Sequence, residues 1–521
     1  MSNRQKIALF IVITIVTRLA LAFRPETQLT QRLYQEDAYY ALATANHLAH
    51  GNGFSVDGVH PTNGVQPLIV VLYSICFFIS GADKWLGVRL TFGLVAIIES
   101  LCVVLIYKAI ETFKREDKKY SIDPAIIGAG VWTFLFANLI HNAIGLETGL
   151  YAMMILWSLY LYGRILQLER KGSDISTLRW IGFGVQLGLL VLTRIDGVFF
   201  VAAVCVVELI KRRKIWPSLL IGAFAVVVSS PWWVYNYTKF GSLMPISGQS
   251  ESIGSALLLN IQFSLTTIAN IFLVLFYQES ELTVNILRLS TVAIIIIISM
   301  TLWRRQGRAY VRNSYYARPL ATLFIASACL IVYYTFFFNA PHFIGRYFHP
   351  LRVAVLLVVV MYIPGLYDRW KRSSKFSVLR IAMVSYLLLG VVYNTVHYIY
   401  NYTTKDINAL YQAGRWAEEH PQHKIGMTSS GVAGFMSDNV VNLDGKVNYD
   451  ALLARHHDSL GYYVVHSGID VLADWEGNAR PIITQAQKLG VTYYVVDSLG
   501  SSGLYFYLKE NPKAIFGQPA F

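Results

Sequence analysis

The sequence predicts a polytopic α-helical membrane protein of about 11 spans with interfacial helices, followed by a small extracytoplasmic α/β domain. Three observations carry this prediction. Of the 521 residues, 55% are hydrophobic and 14% charged, with a mean hydropathy of +0.45. Apolar runs recur through residues 1–400 and stop near 401. The basic residues cluster in the short gaps between those runs, as cytoplasmic loops require.

Arg4 and Lys6 precede the first run, 7–23, which puts the N-terminus in the cytoplasm. No small-residue cleavage pattern follows it, so it reads as an anchor helix. The first extracytoplasmic loop then covers 24–86. Within it, Ala38, Leu42, Ala45 and Leu48-Ala49 recur at steps of three and four, a helical stripe stopped by Gly51. The bland form of this helix is an amphipathic surface helix with two solvated acids, Glu36 and Asp37. The apolar run Pro67–Ser80 is 14 residues, short for a crossing, and suits an interfacial or re-entrant helix. From its place it would shape the way in for a lipid approaching Asp37.

Spans are expected at 87–110, 124–141, 148–166, 179–193, 197–210 and 217–237, the last with Pro231 as a candidate kink. Lys211-Arg212-Arg213-Lys214 is the strongest cytoplasmic flag. Residues 256–277 are apolar but interrupted by Asn260, Gln262, Thr266, Thr267 and Asn270, without basic flanks. They read as an interfacial segment. Further spans at 284–303, 319–338, 350–366 and 378–398 close the count. Every cytoplasmic loop then carries several Lys or Arg, and the part after 401 falls outside with Asp37. There, helical patterns at 408–419, 448–455 and 479–489 alternate with β-rich runs at 423–428, 439–443, 468–473 and 491–497.

The net charge of +13 is accounted for by the loop clusters and gives no signal for nucleic acid. Cys76, Cys102, Cys205 and Cys329 all lie in apolar segments without metal-ligand spacing, so neither a disulfide framework nor a zinc site is implied.

Four polar features are predicted on the outer side: Glu36-Asp37 with Asn63 and Gln66; Glu147; Arg194 with Asp196; and Arg346 with His349. Each alone has an ordinary explanation: a solvated helix face, a helix-end acid, a local ion pair, a headgroup anchor. Together they make a mixed-charge site at the bilayer edge, where uncompensated charge is costly. Such a site suits a lipid-phosphate-linked sugar, tail in the membrane and sugar outside. A carboxylate would take the proton of an acceptor hydroxyl, and an arginine would hold the phosphate leaving group. No Gly-x-x-x-x-Gly-Lys loop appears, which counts against an ATP-driven transporter.

Three segments resemble one family: Glu36-Asp37-Ala38-Tyr39-Tyr40 after the first span, Pro61-Thr62-Asn63-Gly64-Val65-Gln66-Pro67-Leu68, and Gly145-Leu146-Glu147-Thr148. They are similar to the GT-C class of membrane glycosyltransferases. Within it they resemble the mycobacterial terminal arabinofuranosyltransferase type and, more distantly, lipid A aminoarabinose transferases and protein O-mannosyltransferases. Val440-Val441-Asn442-Leu443-Asp444-Gly445 resembles the outer domain of that family. The resemblance implies an inverting transfer from a polyprenyl-phosphate sugar to a cell-envelope glycan or lipid on the outer face of a bacterial inner membrane. It implies Asp37 as base and Glu147 lining the cavity. Relatives often carry Asp-Asp where this chain has Glu36-Asp37, so the base stays open between the two. Arg346, Arg194, His349, Asn63, Gln66, Tyr40, Glu147 and Asp196 are the expected donor-side residues. Asn442 and Asp444 are expected on the acceptor side, in a domain that would roof the cavity. No dense acidic cluster demands a metal; Glu36 and Asp37 could ligate a hard divalent cation, and metal stays open.

The rival class is a secondary transporter of a small polar or anionic solute. It would show intramembrane acids, broken helices in matching positions and an internal repeat. Glu99 and Glu208 are the acids well inside spans, and no repeat is visible.

Overall fold

The computed structural model describes residues 1–30, 34–114, 120–135, 138, 144–253, 257–273, 317–339, 344–371, 385, 408–499 and 502–510. The spans expected at 284–303 and 378–398 lie outside them. The chain splits into two compact units. The first is Met1–Ala22, Phe92–Val234 and Gly254–Thr403; the second is Phe23–Thr91, Tyr235–Ile253 and Thr404–Phe521.

The chain is a membrane protein. Among the described residues, five helices are long and apolar enough to cross a bilayer by length and composition: Asn3–Ala22, Lys84–Phe113, Thr148–Arg170, Ile215–Phe240 and Ala317–Phe336. Pro67–Ser80, Pro124–Phe134 and Thr177–Thr193 are apolar but shorter. The Ile215–Phe240 helix continues past Pro231.

In the first unit, buried charge is paired. Arg18 lies 3.7 Å from Glu99, both enclosed. Glu208 accepts from Tyr162 and Arg212, and Arg318 bridges it to Glu169 at 2.8 Å. The two acids that a transporter would need free inside the membrane therefore hold helices together. Two polar residues of the Leu257–Leu273 helix serve packing: Asn260 donates to the carbonyls of Thr335 and Phe338, and Ser264 bonds Thr335 at 2.7 Å.

The second unit is built around a five-stranded sheet of order β2-β1-β3-β5-β4. Its strands are β1 (Ile425–Met427), β2 (Val440–Asn442), β3 (Val471–Trp475), β4 (Tyr493–Ser498) and β5 (Leu504–Lys509). β1 pairs in parallel with β2 and β3, whereas β5 runs antiparallel between β3 and β4. β1 and β2 fall within the first two β-rich runs of the sequence, β3 and β4 overlap the other two and extend beyond them, and β5 lies outside all four.

The first loop belongs to this unit. Its Glu36–Ala49 helix is buried from Ala38 to His47, so it is not a surface amphipathic helix. The polar face finds protein partners in place of water. Tyr40 meets Ser430 and Asn442, and His47 lies 3.7 Å from Asp438. Phe435 fills the space between Tyr39, Phe77 and Trp85, with ring centroids 5.4, 6.0 and 5.6 Å away.

Two glycines permit this closeness. A Cβ on Gly431 would lie 2.3 Å from the Glu36 carbonyl oxygen, and one on Gly64 only 1.8 Å from the Lys446 carbonyl oxygen. In both cases the obstacle is backbone, which cannot rotate away. Gly64→Ala is expected to destabilise the second unit by about 3 kcal/mol or more, at or beyond the top of the usual overpacking range. Gly477→Ala, with nothing within 4 Å, is the control. Limited proteolysis and thermal midpoints would check this, and equal midpoints for the two variants would contradict it.

Candidate functional site

The predicted residues gather into two clusters, one in each unit. In the second unit, Glu36 and Asp37 form the first turn of the buried helix. Glu36 turns inward and accepts the backbone N–H of Gly431. Burial pushes its pKa well above the usual carboxylate range, and the Asp37 charge adds to this. Asp37 turns to Lys446, whose Nζ is 3.4 Å from its Oδ1. The same ammonium lies 3.0 Å from Glu251 and 3.8 Å from Asp444. Three carboxylates therefore share one lysine at a partly open position; the side chains of Asp37, Glu251, Asp444 and Lys446 are 16–20% exposed. Burial works against the lysine charge, but Asp37, Asp444 and Glu251 more than offset this and hold its pKa above normal.

The surrounding amides and phenols are framework. Tyr40 Oη accepts from Asn442 Nδ2 at 3.1 Å, and Asn442 Oδ1 accepts the Gly445 N–H at 3.0 Å. This fixes the turn that presents Asp444 and Lys446. Asn63 Oδ1 accepts the Ile246 N–H at 2.9 Å, so it anchors the 235–253 stretch that carries Glu251. Gln66 precedes the Pro67–Ser80 helix and makes no capping bond with its side chain.

Burial, opposed by Lys446, pushes the Asp444 carboxyl up to about 6. The unfolded chain gives up this proton near pH 3.9, so the folded form holds it longer. The stability it contributes is whole below that pH and lost as pH rises through about 6. Glu36 acts with the same sign. Asp57 is desolvated too, but bonds from His60 bring it down to about 2, so its effect is confined to lower pH. Between about pH 4 and pH 7 the Asp444 carboxyl is expected to pull the thermal midpoint down as pH rises, and Asp444→Asn to remove that part of the slope. An identical slope in the variant would contradict this.

In the first unit, the helix path breaks between Thr177–Thr193 and Val198–Arg212 at a single 3-10 turn, Ile195–Gly197. Arg194 sits in that break with extended backbone. Its guanidinium donates to Asp196 through the Nε and Nη2 of one edge, at 3.1 and 2.8 Å, and pairs with Glu147 through Nη1. Glu147 stands at the start of the Thr148–Arg170 helix but caps none of its N–H groups. Tyr334 donates to Asp196 at 2.7 Å and stacks on Tyr347 at 4.1 Å. The Arg194 and Arg346 guanidiniums lie 4.7 and 5.4 Å from the Tyr347 ring centroid. Glu147, Arg194, Asp196 and Arg346 are thus brought together. His349, fully buried, lies edge-on to Trp132 at 6.2 Å.

The structure adds Lys446 and Glu251 to the residues expected in the second unit, and Tyr334 and Tyr347 in the first. Lys446 follows Asp444-Gly445 and could have been suspected from that turn. Glu251 is a single acid in a loop and carries no local signal. Among the described residues, no group of three or more His, Cys, Asp or Glu side chains is arranged to hold a metal ion.

Two solved structures align along nearly the whole chain. The oligosaccharyltransferase AglB of Archaeoglobus fulgidus, solved with an inhibitory peptide and a dolichol-phosphate, matches at 14% identity and a TM-score of 0.52, over 97% of this chain and 74% of that one. ArnT of Cupriavidus metallidurans, bound to undecaprenyl phosphate, matches at 12% identity and a TM-score of 0.54, over 96% of this chain and 97% of that one. The fold is GT-C. At such identity the likeness is one of fold. No protein-family model matches the sequence, and no curated protein is significantly similar to it.

Proposed function

We propose that the protein is an inverting glycosyltransferase that moves a sugar from a polyprenyl-phosphate donor to a cell-envelope glycan or lipid acceptor. The observation that carries this reading is the placement of Asp37. It stands at the first turn of a helix buried on all sides, with its carboxylate in a partly open cluster steadied by Lys446. A base needs that combination of fixed position and access. Support for the donor class comes from the GT-C neighbours, which were solved with dolichol-phosphate and undecaprenyl phosphate.

In this reading Asp37 accepts the proton of the acceptor hydroxyl as its oxygen bonds to the anomeric carbon. The bond from that carbon to the phosphate oxygen breaks, and the lipid phosphate leaves with the electron pair. From the sequence, Arg346 is the arginine proposed for the phosphate. Glu36 is set aside as base, since its carboxyl is turned inward and accepts the Gly431 N–H. About 11 spans, a cytoplasmic N-terminus and an extracytoplasmic second unit complete the proposal.

The test is transfer by purified protein from a panel of polyprenyl-phosphate pentoses and hexoses to envelope extracts. Release of polyprenyl phosphate coupled to a new glycoside is the expected result. Failure with every donor of the panel, by protein that is folded, would count against the reading.

A further inference from the structure

The second unit contains a separate open cavity of about 470 Å³, lined in part by His60, Lys424, Asp450, Tyr462, Tyr463 and His466. That volume lies within the ~300–1,000 Å³ of small-molecule sites. None of these residues belongs to the Asp37 cluster. The chemistry of the lining is specific. Lys424 offers donors alone and Asp450, when ionised, acceptors alone. An anionic ligand would meet Asp450 unfavourably, and a cationic one Lys424. A neutral polyol satisfies both, because each hydroxyl donates and accepts.

The aromatic wall points the same way. Tyr462 is 56% exposed, yet its ring is backed by His466 at 3.9 Å and 27°. A ring stacked on one face by His466 and exposed elsewhere is a flat apolar platform, which the C–H face of a sugar ring can cover while its hydroxyls reach the polar rim. The wall is also tied to the framework under Asp37. Asn448 Nδ2 donates to Tyr463 Oη and to the Asn442 carbonyl, each at 2.9 Å, and Asn442 in turn holds Tyr40. Tyr40 is one turn along the helix that begins at Glu36.

We infer that this cavity is a binding subsite for a neutral saccharide, Tyr462 stacking on its ring and Lys424 and Asp450 taking its hydroxyls. That the saccharide is part of the acceptor rests on the glycosyltransferase reading; that it binds does not. Purified full-length protein would be applied to an array of neutral oligosaccharides alongside uronate- and phosphate-bearing ones. Wild-type protein is expected to bind neutral members. Tyr462→Ala and Asp450→Ala are each expected to weaken binding by about tenfold or more, and Tyr462→Phe, which keeps the platform, to retain it. Both truncated side chains are exposed, and matched thermal midpoints would verify folding. Absence of neutral binding, binding confined to acidic sugars, or binding indifferent to Tyr462→Ala would overturn the inference. Asp37→Asn should leave array binding unchanged, which separates the two readings. Binding without transfer would sink the enzymatic reading alone, and transfer without binding would sink the subsite alone.

Discussion

Asp37→Asn is expected to lower turnover by about 10²–10⁴-fold, the usual contribution of a positioned general base, with the thermal midpoint nearly unchanged. The substitution keeps the size of the side chain and removes its capacity to take a proton. Folding should tolerate it, because Lys446 keeps Glu251 and Asp444 as neighbours. Donor affinity should hold, since the loss falls on a step that occurs only in the transition state. Glu36→Gln should cost far less. Its carboxyl is held by the Gly431 N–H, a bond an amide oxygen can also accept. Steady-state rates and donor binding for the two variants would decide the assignment: a severe loss in Glu36→Gln with near-normal turnover in Asp37→Asn would exchange the roles.

Arg194→Ala should act on stability. The guanidinium lies between Glu147 and Asp196, and all three side chains are at most 7% exposed. Removing it leaves two carboxylates enclosed without the cation that joins them. Breaking a buried pair in this way typically costs about 3–5 kcal/mol. The loss should appear as a lowered thermal midpoint and poor recovery of purified protein. Arg194→Lys should rescue it only in part, because an ammonium lacks the planar fork that holds Asp196 at two points while Nη1 pairs with Glu147. A midpoint equal to wild type in Arg194→Ala would mean that the cluster does not hold the helices.

What the sequence discloses follows from the range of the forces involved. Apolar runs and basic clusters are local, so the membrane character and the positions of most helices can be read residue by residue. Strands β1 to β4 sit in local β-rich runs for the same reason. The pairing of Arg194 with Asp196 is two residues long and equally legible. Its extension to Glu147, 47 positions earlier, depends on how the helix that begins at Thr148 packs beside the break at Arg194, and no spacing encodes that. The burial of Tyr40, Thr44 and His47 is hidden likewise. Their polarity suggests a wet face, but Ser430 and Asn442 meet Tyr40, Asp438 approaches His47, and Thr44 donates to the Tyr40 carbonyl of its own helix. Glu251 reaches the site because Asn63 anchors its loop from nearly two hundred residues away. The Gly64 in that same motif is conspicuous in the sequence, but its reason, the Lys446 carbonyl, is visible only in the fold.

The central claim is a single displacement assisted by Asp37. It is tested most directly by the anomeric configuration of the product, read by NMR from a donor of known configuration. Wild-type protein is expected to give the inverted product, and Asp37→Asn to form it more slowly by about 10²-fold or more. Retention of configuration, or full-speed product formation by that variant, would contradict it.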